Sequence, residues 1–379
     1  MPDAVVVDAV RTPLGRRNGG LAGIHPADLS AHVLAQLVER TGVDPAVIED
    51  VIWGCVSQIG EQTYDIARTA VLAAGWPQSI TGVTVDRQCG SSQQSVHFAA
   101  AGLVAGHYDA VVAGGVESMS RVAMGSSMAD QQPYPPSLQA RYGIPHQGIG
   151  AEAMAEKWGF SRAQLDEFAL RSHARAAAAQ DEGRFDAEIA PVPTGDGIVT
   201  SDEGVRRGGT LETLAGLKTP FKDGGVISAG NASQISDGAA ALLMMTTDKA
   251  AELGLGPIAR VHSVALAGDD PVMMLSAPIP ATEKVLRRAG LGIADIGAFE
   301  VNEAFAPVPM AWLAETGGDE AALNPLGGAI ALGHPLGASG ARLMTTLIHH
   351  LKQNGIRYGL QTMCEAGGQA NATIIEALD

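Results

Sequence analysis

Four side chains able to carry nucleophilic and acid–base chemistry stand beside glycines or at the ends of β-prone runs. They are Cys89 in Asp86-Arg87-Gln88-Cys89-Gly90-Ser91-Ser92, Asn302 after Phe299-Glu300-Val301, His334 in Gly333-His334-Pro335-Leu336-Gly337-Ala338-Ser339-Gly340, and Cys364 before Glu365-Ala366-Gly367-Gly368. A short β-prone run, Val83 to Val85, delivers Cys89 to the start of a small-residue helix, where unpaired N–H groups and the positive end of the helix dipole favour a thiolate. A free cysteine is as often a small buried hydrophobe. His334 lies in a turn too rich in glycine to hold a polar ring unless the turn exists to place it, or it is a structural histidine with its hydrogen bonds met. Asn302 can orient a water or a substrate oxygen, or cap the next helix. Around Cys364 the backbone N–H groups are as available to a site as the thiol. The glycines lack Gly-Lys-Ser/Thr and the spacing of a dinucleotide fold, so a phosphate loop is rejected.

The elements that must position these groups alternate. Ala4-Val5-Val6-Val7, Val51-Ile52-Trp53 and Asp109 to Val116 read as buried strands, and a helix to Arg40, capped by Asp28 or Ser30, is stopped by Gly42. A second helix is expected over Tyr64 to Ala74, and the helix after Cys89 carries Val96, Ala99, Ala100, Leu103 and Val104 at helical spacing. Alternation of this kind predicts parallel, layered α/β domains. From Arg121 to Gly150 the chain reads as long loops, followed by helices over Ala151 to Trp158 and Ser161 to Gln180, the latter with a Ser161/Gln164 capping box. Gly183 to Gly225, with Arg206, Arg207, Lys218 and Lys222, is a candidate lid. Alternation resumes with a strand at Ile258 to Val261, a helix over Thr282 to Ala289, and Phe299 to Val301. Pro307 and Pro309 fit only a first helical turn or a kink. The last segment, a helix after His334 and a strand ending near Ala366-Gly367-Gly368, repeats the order that follows Cys89. Two similar domains facing each other are expected: 1–118 plus 233–255, and 256–379, with 119–232 as a loop domain between them.

A chain of 379 residues with 46% hydrophobic content and 47 glycines suits a tightly packed α/β protein. Its net charge of −16 argues against nucleic-acid and anionic-membrane partners, so an anionic ligand needs a local basic site. Three widely spaced cysteines, Cys55, Cys89 and Cys364, suggest neither a disulfide framework nor a structural zinc site. The amino end lacks the pattern of a signal peptide, no apolar run approaches a membrane span, and Ala377-Leu378-Asp379 is not a peroxisomal tail. A soluble cytoplasmic protein is the expectation.

Taken together, the Cys89 block, Asn302-Glu303-Ala304-Phe305-Ala306, Gly327 to Gly340 and Cys364 to Gly368 resemble the four signature blocks of the thiolases, with Arg11-Thr12-Pro13 and Ala229 to Ser233 in support. The resemblance implies a five-layer αβαβα thiolase fold and acyl transfer between coenzyme A thioesters. It implies Cys89 as acyl carrier, His334 as its base, Cys364 as the second acid and base, and Asn302 as holder of a water. It also implies an oxyanion hole from the backbone N–H groups of Cys89 and Ala366. Position 366 is commonly glycine in the family, and alanine keeps the N–H but disfavours positive φ. Arg206 and Ser233 match coenzyme A contacts and His146 falls at a third, although Arg206 alone reads equally as an exposed arginine. No resident cofactor, metal or nicotinamide is implied. A homodimer is expected, with a homotetramer as the alternative, because the segment from Glu117 to Gln147 is short for a tetramer-forming loop. Degradative cleavage of 3-ketoacyl-CoA is the leading reading. Condensation of two acetyl-CoA units and a catalytically silent coenzyme A-binding scaffold are the alternatives.

Overall fold

The computed structural model describes residues 3–378. Met1, Pro2 and Asp379, on which the readings of the two chain ends partly rest, lie outside the described residues. The first half runs β1 (Ala4–Arg11), β2 (Gly15–Arg16), α1 (Pro26–Thr41), β3 (Asp50–Gly54), α2 (Ile66–Ala73), β4 (Thr81–Val85), α3 (Ser91–Ala105) and β5 (Ala110–Ser118). An excursion follows with α4 (Pro136–Tyr142), α5 (Gln147–Trp158), α6 (Arg162–Asp181), the hairpin β6 (Val192–Thr194) and β7 (Gly197–Val199), and α7 (Leu211–Ala215). The chain then returns through β8 (Ser236–Thr246) and α8 (Thr247–Glu252). The second half contains β9 (Ala259–Gly268), α9 (Pro278–Ala289), β10 (Ala298–Val301), α10 (Pro307–Thr316), α11 (Ala329–Leu332), α12 (Ser339–Asn354), β11 (Tyr358–Glu365) and β12 (Gln369–Ala377).

The strands line up as β10-β11-β12-β9-β1-β8-β5-β3-β4. The sheets are mixed rather than parallel as expected. β3 is parallel to β4 and β5, and β10 to β11, but β8 and β12 enter antiparallel between their neighbours. A continuous run of buried apolar residues is the same for a central strand of either direction, so the sequence pattern could not tell them apart. β1 and β9 meet only at Val5–Arg260 and Val6–Ala259, so two half-sheets share one short ladder. Each half repeats the other, except that the counterpart of β4 is reduced to a single bridge between Phe299 and Leu323.

Three apolar layers build the stack. Leu29, Val33 and Ile66 of α1 and α2 cover the outer face of the first half-sheet, and Val285, Ala311 and Trp312 of α9 and α10 that of the second. Between the sheets, Val96, Ala99 and Leu103 of α3 pack with Met344, Leu347 and Leu351 of α12. The two central helices approach so closely that a Cβ on Gly340 would lie 2.2 Å from the Gln93 backbone nitrogen. Small residues are therefore what lets helix, sheet and helix stack as αβαβα.

The excursion between β5 and β8 contributes Ala151, Met154, Leu165 and Phe168 to the second half's core. It contains α4 and the first turn of α5 where loops were expected. The cap of α1 also differs: His25, not Asp28 or Ser30, accepts from the Ala27 N–H, at 3.1 Å, because Pro26 already occupies the first helical position. The Ser161/Gln164 capping box and the αL stop at Gly42 are present. Among the described residues no helix is long and apolar enough to cross a membrane.

Candidate active site

Each candidate side chain stands at or near the end of a strand or helix, where the chain enters a turn. Asn302 follows β10, Cys364 lies near the end of β11, Cys89 follows β4, and His334 follows the short helix α11. Asn302, His334 and Cys364 are buried and Cys89 is half-buried. The turns are held by two carboxylates that the sequence reading did not single out, one of which bridges the two halves. Glu117, at the end of β5, accepts from the N–H groups of Val56 and Ser57, from Gln62 Nε2, and from the Gly337 N–H at 2.9 Å, which fastens the His334 turn to the first half. Glu303 accepts from Ser172 Oγ at 2.6 Å, Asn324 Nδ2 at 3.0 Å and the Ile330 N–H at 3.2 Å. Glu303 at least stands beside a signature residue, whereas Glu117 lies outside all four blocks.

The hydrogen bonds around His334 assign its two nitrogens. Ser339 Oγ donates to the Pro335 carbonyl at 2.8 Å, so its lone pair faces His334 Nδ1 at 2.6 Å and Nδ1 carries the proton. Nε2 is left as the basic nitrogen, 3.4 Å from Asn302 Nδ2. Burial, with Arg342 adding to it, pushes the imidazole down to about 3, so it is neutral and able to accept a proton. Asn302 Oδ1 is buried without a partner. That orphaned acceptor suits a water or substrate group.

Cys89 departs from the thiolate expectation. Burial, then the Glu365 carboxylate, pushes its thiol up to about 12, although its own backbone N–H works the other way. The turn offers little to offset this. The Gly90 and Ser91 N–H groups donate to the Arg87 and Gln88 carbonyls within the turn, each at 3.1 Å, so the helix start does not offer them to the sulfur. Gln88 takes φ +48°, a strained conformation that this turn imposes. Cys364 is also raised, by burial first and then by Cys89 and Glu365, which places the two sulfurs in one electrostatic neighbourhood. Both are neutral thiols at rest. Either thiol would need a base to become a nucleophile.

Ala366 is absent from the positive-φ positions, which fall on Gly367 at +89° and Gly368 at +75°. Alanine is therefore tolerated at 366. A groove of about 490 Å³ is lined by Arg206, Ser233, Arg16 and Arg17. Its floor reaches the centre, since the Ser233 N–H donates to the Ala304 carbonyl and the His334 N–H to the Gln234 carbonyl. Arg207 and Lys222 are instead paired with Asp181 and Glu156. His146 does not line this groove. It caps α5 through Nδ1 and stacks on Phe221 at 5.3 Å, which in turn meets Phe305 edge-on. Arg16 and Arg17 escaped the sequence reading because two exposed arginines after a turn carry no signature of their own. A second cavity, about 730 Å³, is walled by Tyr134, Leu138, Tyr142, Ile144 and Pro271 and reaches the backbone of Gly367 and Gly368. Among the described residues no group of three or more His, Cys, Asp or Glu side chains is arranged to hold a metal.

Residues 4–248 match the family model of the thiolase N-terminal domain and residues 255–377 that of the thiolase C-terminal domain. A steroid 3-ketoacyl-CoA thiolase of Mycobacterium tuberculosis is 50% identical, over 100% of this chain and 95% of its own length. A 3-ketoacyl-CoA thiolase of Aliivibrio fischeri is 44% identical, over 99% and 100%. The crystal structure of the Bacillus anthracis acetyl-CoA acetyltransferase superposes with a TM-score of 0.91 at 37% identity, covering 100% of this chain and 99% of that one. Together with the repeated five-layer fold, these matches run through both halves, and the chain belongs to the thiolase family.

Proposed function

We propose that this protein is a degradative thiolase that cleaves 3-ketoacyl-CoA with CoA, releasing acetyl-CoA and a shortened acyl-CoA through an acyl group carried on Cys89. The observation that carries the reading is the neutral His334, with Nδ1 held by Ser339 and its basic Nε2 turned toward Asn302, whose Oδ1 is unpartnered. Cys89 Sγ attacks the keto carbon as its proton passes to His334 Nε2. The bond between the second and third carbons then breaks, and its electron pair leaves as the acetyl-CoA enolate. Cys364, held as a thiol by burial, gives its proton to that carbon. The resulting Cys364 thiolate takes the proton of an incoming CoA thiol, which attacks the acyl group, and His334 returns its proton to Cys89. The enolate oxygen rests between protonated His334 and a water on Asn302, and the tetrahedral oxygen between the Cys89 and Ala366 N–H groups.

CoA lies in the arginine-lined groove, with Arg206, Arg16 and Arg17 meeting its phosphates and Ser233 nearer the reacting end. His146 supports that path indirectly, through Phe221 and Phe305. The acyl group occupies the 730 Å³ cavity, whose volume and aromatic and aliphatic wall suit a bulky apolar, ring-bearing chain. The mycobacterial relative's name makes such a chain the first to try. A soluble cytoplasmic homodimer is the proposed state. β4 is an edge strand, and Val83 on it and Phe98 and Val104 on the adjoining α3 are exposed, a surface that a second copy would cover. The same chemistry runs in reverse as acetyl-CoA condensation, which the Bacillus neighbour's name favours as a second reading. Intact Cys89, Asn302, His334 and Cys364 speak against a silent scaffold.

Incubation with acetyl-CoA is expected to add an acetyl group to the Cys89 peptide, and CoA to consume acetoacetyl-CoA absorbance, both lost in Cys89→Ser. Full turnover in that variant, or no adduct on any cysteine, overturns the reading. Turnover compared across straight-chain and ring-bearing 3-ketoacyl-CoAs tests the acyl pocket.

A further inference from the structure

The thiolase chemistry above leaves one buried ionisable group beside both sulfurs without a task. Glu365 ends β11, directly after Cys364, and is fully buried. Neither carboxyl oxygen has a hydrogen-bond partner of normal geometry, although the Asn371 N–H approaches from β12. The carboxyl presses on the nucleophile turn: a Cβ on Gly90 would stand 1.9 Å from its Oε1 and 2.7 Å from Asn371 Nδ2. Asn371 Nδ2 donates to the Gly90 carbonyl at 3.0 Å, and Arg87 Nη1 to Gln369 Oε1 at 3.3 Å. The β11–β12 pair thus grips residues 87–90 from the opposite half of the molecule. The charged groups facing the carboxyl are Arg87, whose Nε is also buried without a partner, and Asp86.

We propose that Glu365 is a positioning residue for the two thiols: a carboxyl held protonated between the nucleophile turn and the Cys364 strand, whose ionisation opposes thiolate formation at both sulfurs. The inference rests on reading Cys89 and Cys364 as the reacting thiols. An unsatisfied buried carboxylate is costly, so the neutral acid is the form this pocket holds. Burial raises the carboxyl to about 8, against the opposing pull of Arg87. Below that value Glu365 is neutral and leaves the sulfurs alone. Above it, the carboxylate adds to the effect of burial on Cys89, and at Cys364 to the effects of burial and Cys89. Negative charge on any one of the three groups resists charge on the other two, so ionisation of Glu365 pushes the later thiol ionisations upward. The proton lost at each step goes to solvent. Burial alone holds Cys364 as a thiol at neutral pH, and the ionised Glu365 adds to that hold as the pH rises.

The test is the rate of Cys89 alkylation by iodoacetamide from about pH 6 to about pH 10, the site identified by peptide mass, in the wild type, Glu365→Gln and Glu365→Asp. In the wild type the rate is expected to climb less than tenfold per pH unit once Glu365 ionises. In Glu365→Gln the apparent thiol pKa falls by about one unit, and alkylation at alkaline pH is about tenfold faster. Glu365→Asp, which retains a carboxyl, keeps the wild-type profile. Superimposable wild-type and Gln profiles overturn the proposal. Should the Gln variant not fold, the wild-type curve alone decides, since a rate that climbs tenfold per pH unit throughout refutes the coupling and a climb that slackens as Glu365 ionises supports it. Alkylation needs no turnover, so failure of the thiolase reading shows separately, as a missing acetyl adduct.

Discussion

Replacing Ser339 by alanine removes the hydroxyl that accepts the His334 Nδ1 proton at 2.6 Å, and with it the contact that decides which imidazole nitrogen is basic. Both residues are buried, so no bulk water replaces the lost acceptor. An unpaired buried N–H costs about 1–3 kcal/mol. The ring relieves that cost by moving its proton to Nε2, where the unpartnered Oδ1 of Asn302 can accept it after the amide turns over. Nε2 then no longer takes the Cys89 proton. The competent tautomer is depleted by about 5- to 150-fold on that energy scale, and kcat/KM for CoA-dependent cleavage falls by the same factor. Loss of the bond to the Pro335 carbonyl also removes about 0.5–1.5 kcal/mol of stability, so turnover is measured well below the melting transition. The assay is loss of acetoacetyl-CoA absorbance, run beside the rate of Cys89 acetylation. A folded Ser339→Ala protein with wild-type values of both refutes the assignment of Nε2 as base.

Two further outcomes are expected. Arg206→Ala raises KM for CoA about 5-fold and leaves kcat unchanged, since an exposed charge contact is worth about 1 kcal/mol, and the effect shrinks with added salt; a kcat loss with unchanged KM would place Arg206 elsewhere. Gly340→Ala lowers the melting temperature, because its Cβ would meet backbone atoms of Gln93 at 2.2 and 2.9 Å where neither central helix can withdraw, a strain of about 1–3 kcal/mol. An unchanged melt would mean that the α3–α12 crossing is looser than drawn.

Much of the site was legible because its parts are local. A cysteine between a β-prone run and a helix, a histidine among glycines, an asparagine after a strand and a second cysteine after another are short patterns whose residue types survive in one dimension. The same holds for the αL stop at Gly42 and the Ser161 capping box, which depend only on neighbours. Pro307 also obeyed its local rule and opens α10.

What the tertiary structure decided is everything that depends on who stands opposite whom. Strand direction is one such property, since β8 and β12 show the same apolar run whichever way they point. The state of the thiols is another: the helix start after Cys89 predicted an acid-shifted sulfur, but the turn consumes its own amides and the other half of the chain supplies burial and Glu365. The basic nitrogen of His334 depends on Ser339 Oγ and on the carbonyl that Oγ itself engages. Glu117 and Glu303 act across gaps of many residues. The sequence alone supplied the candidate groups. Protonation and alignment are set by desolvation and cross-chain hydrogen bonds, which exist only once the two halves have closed on each other.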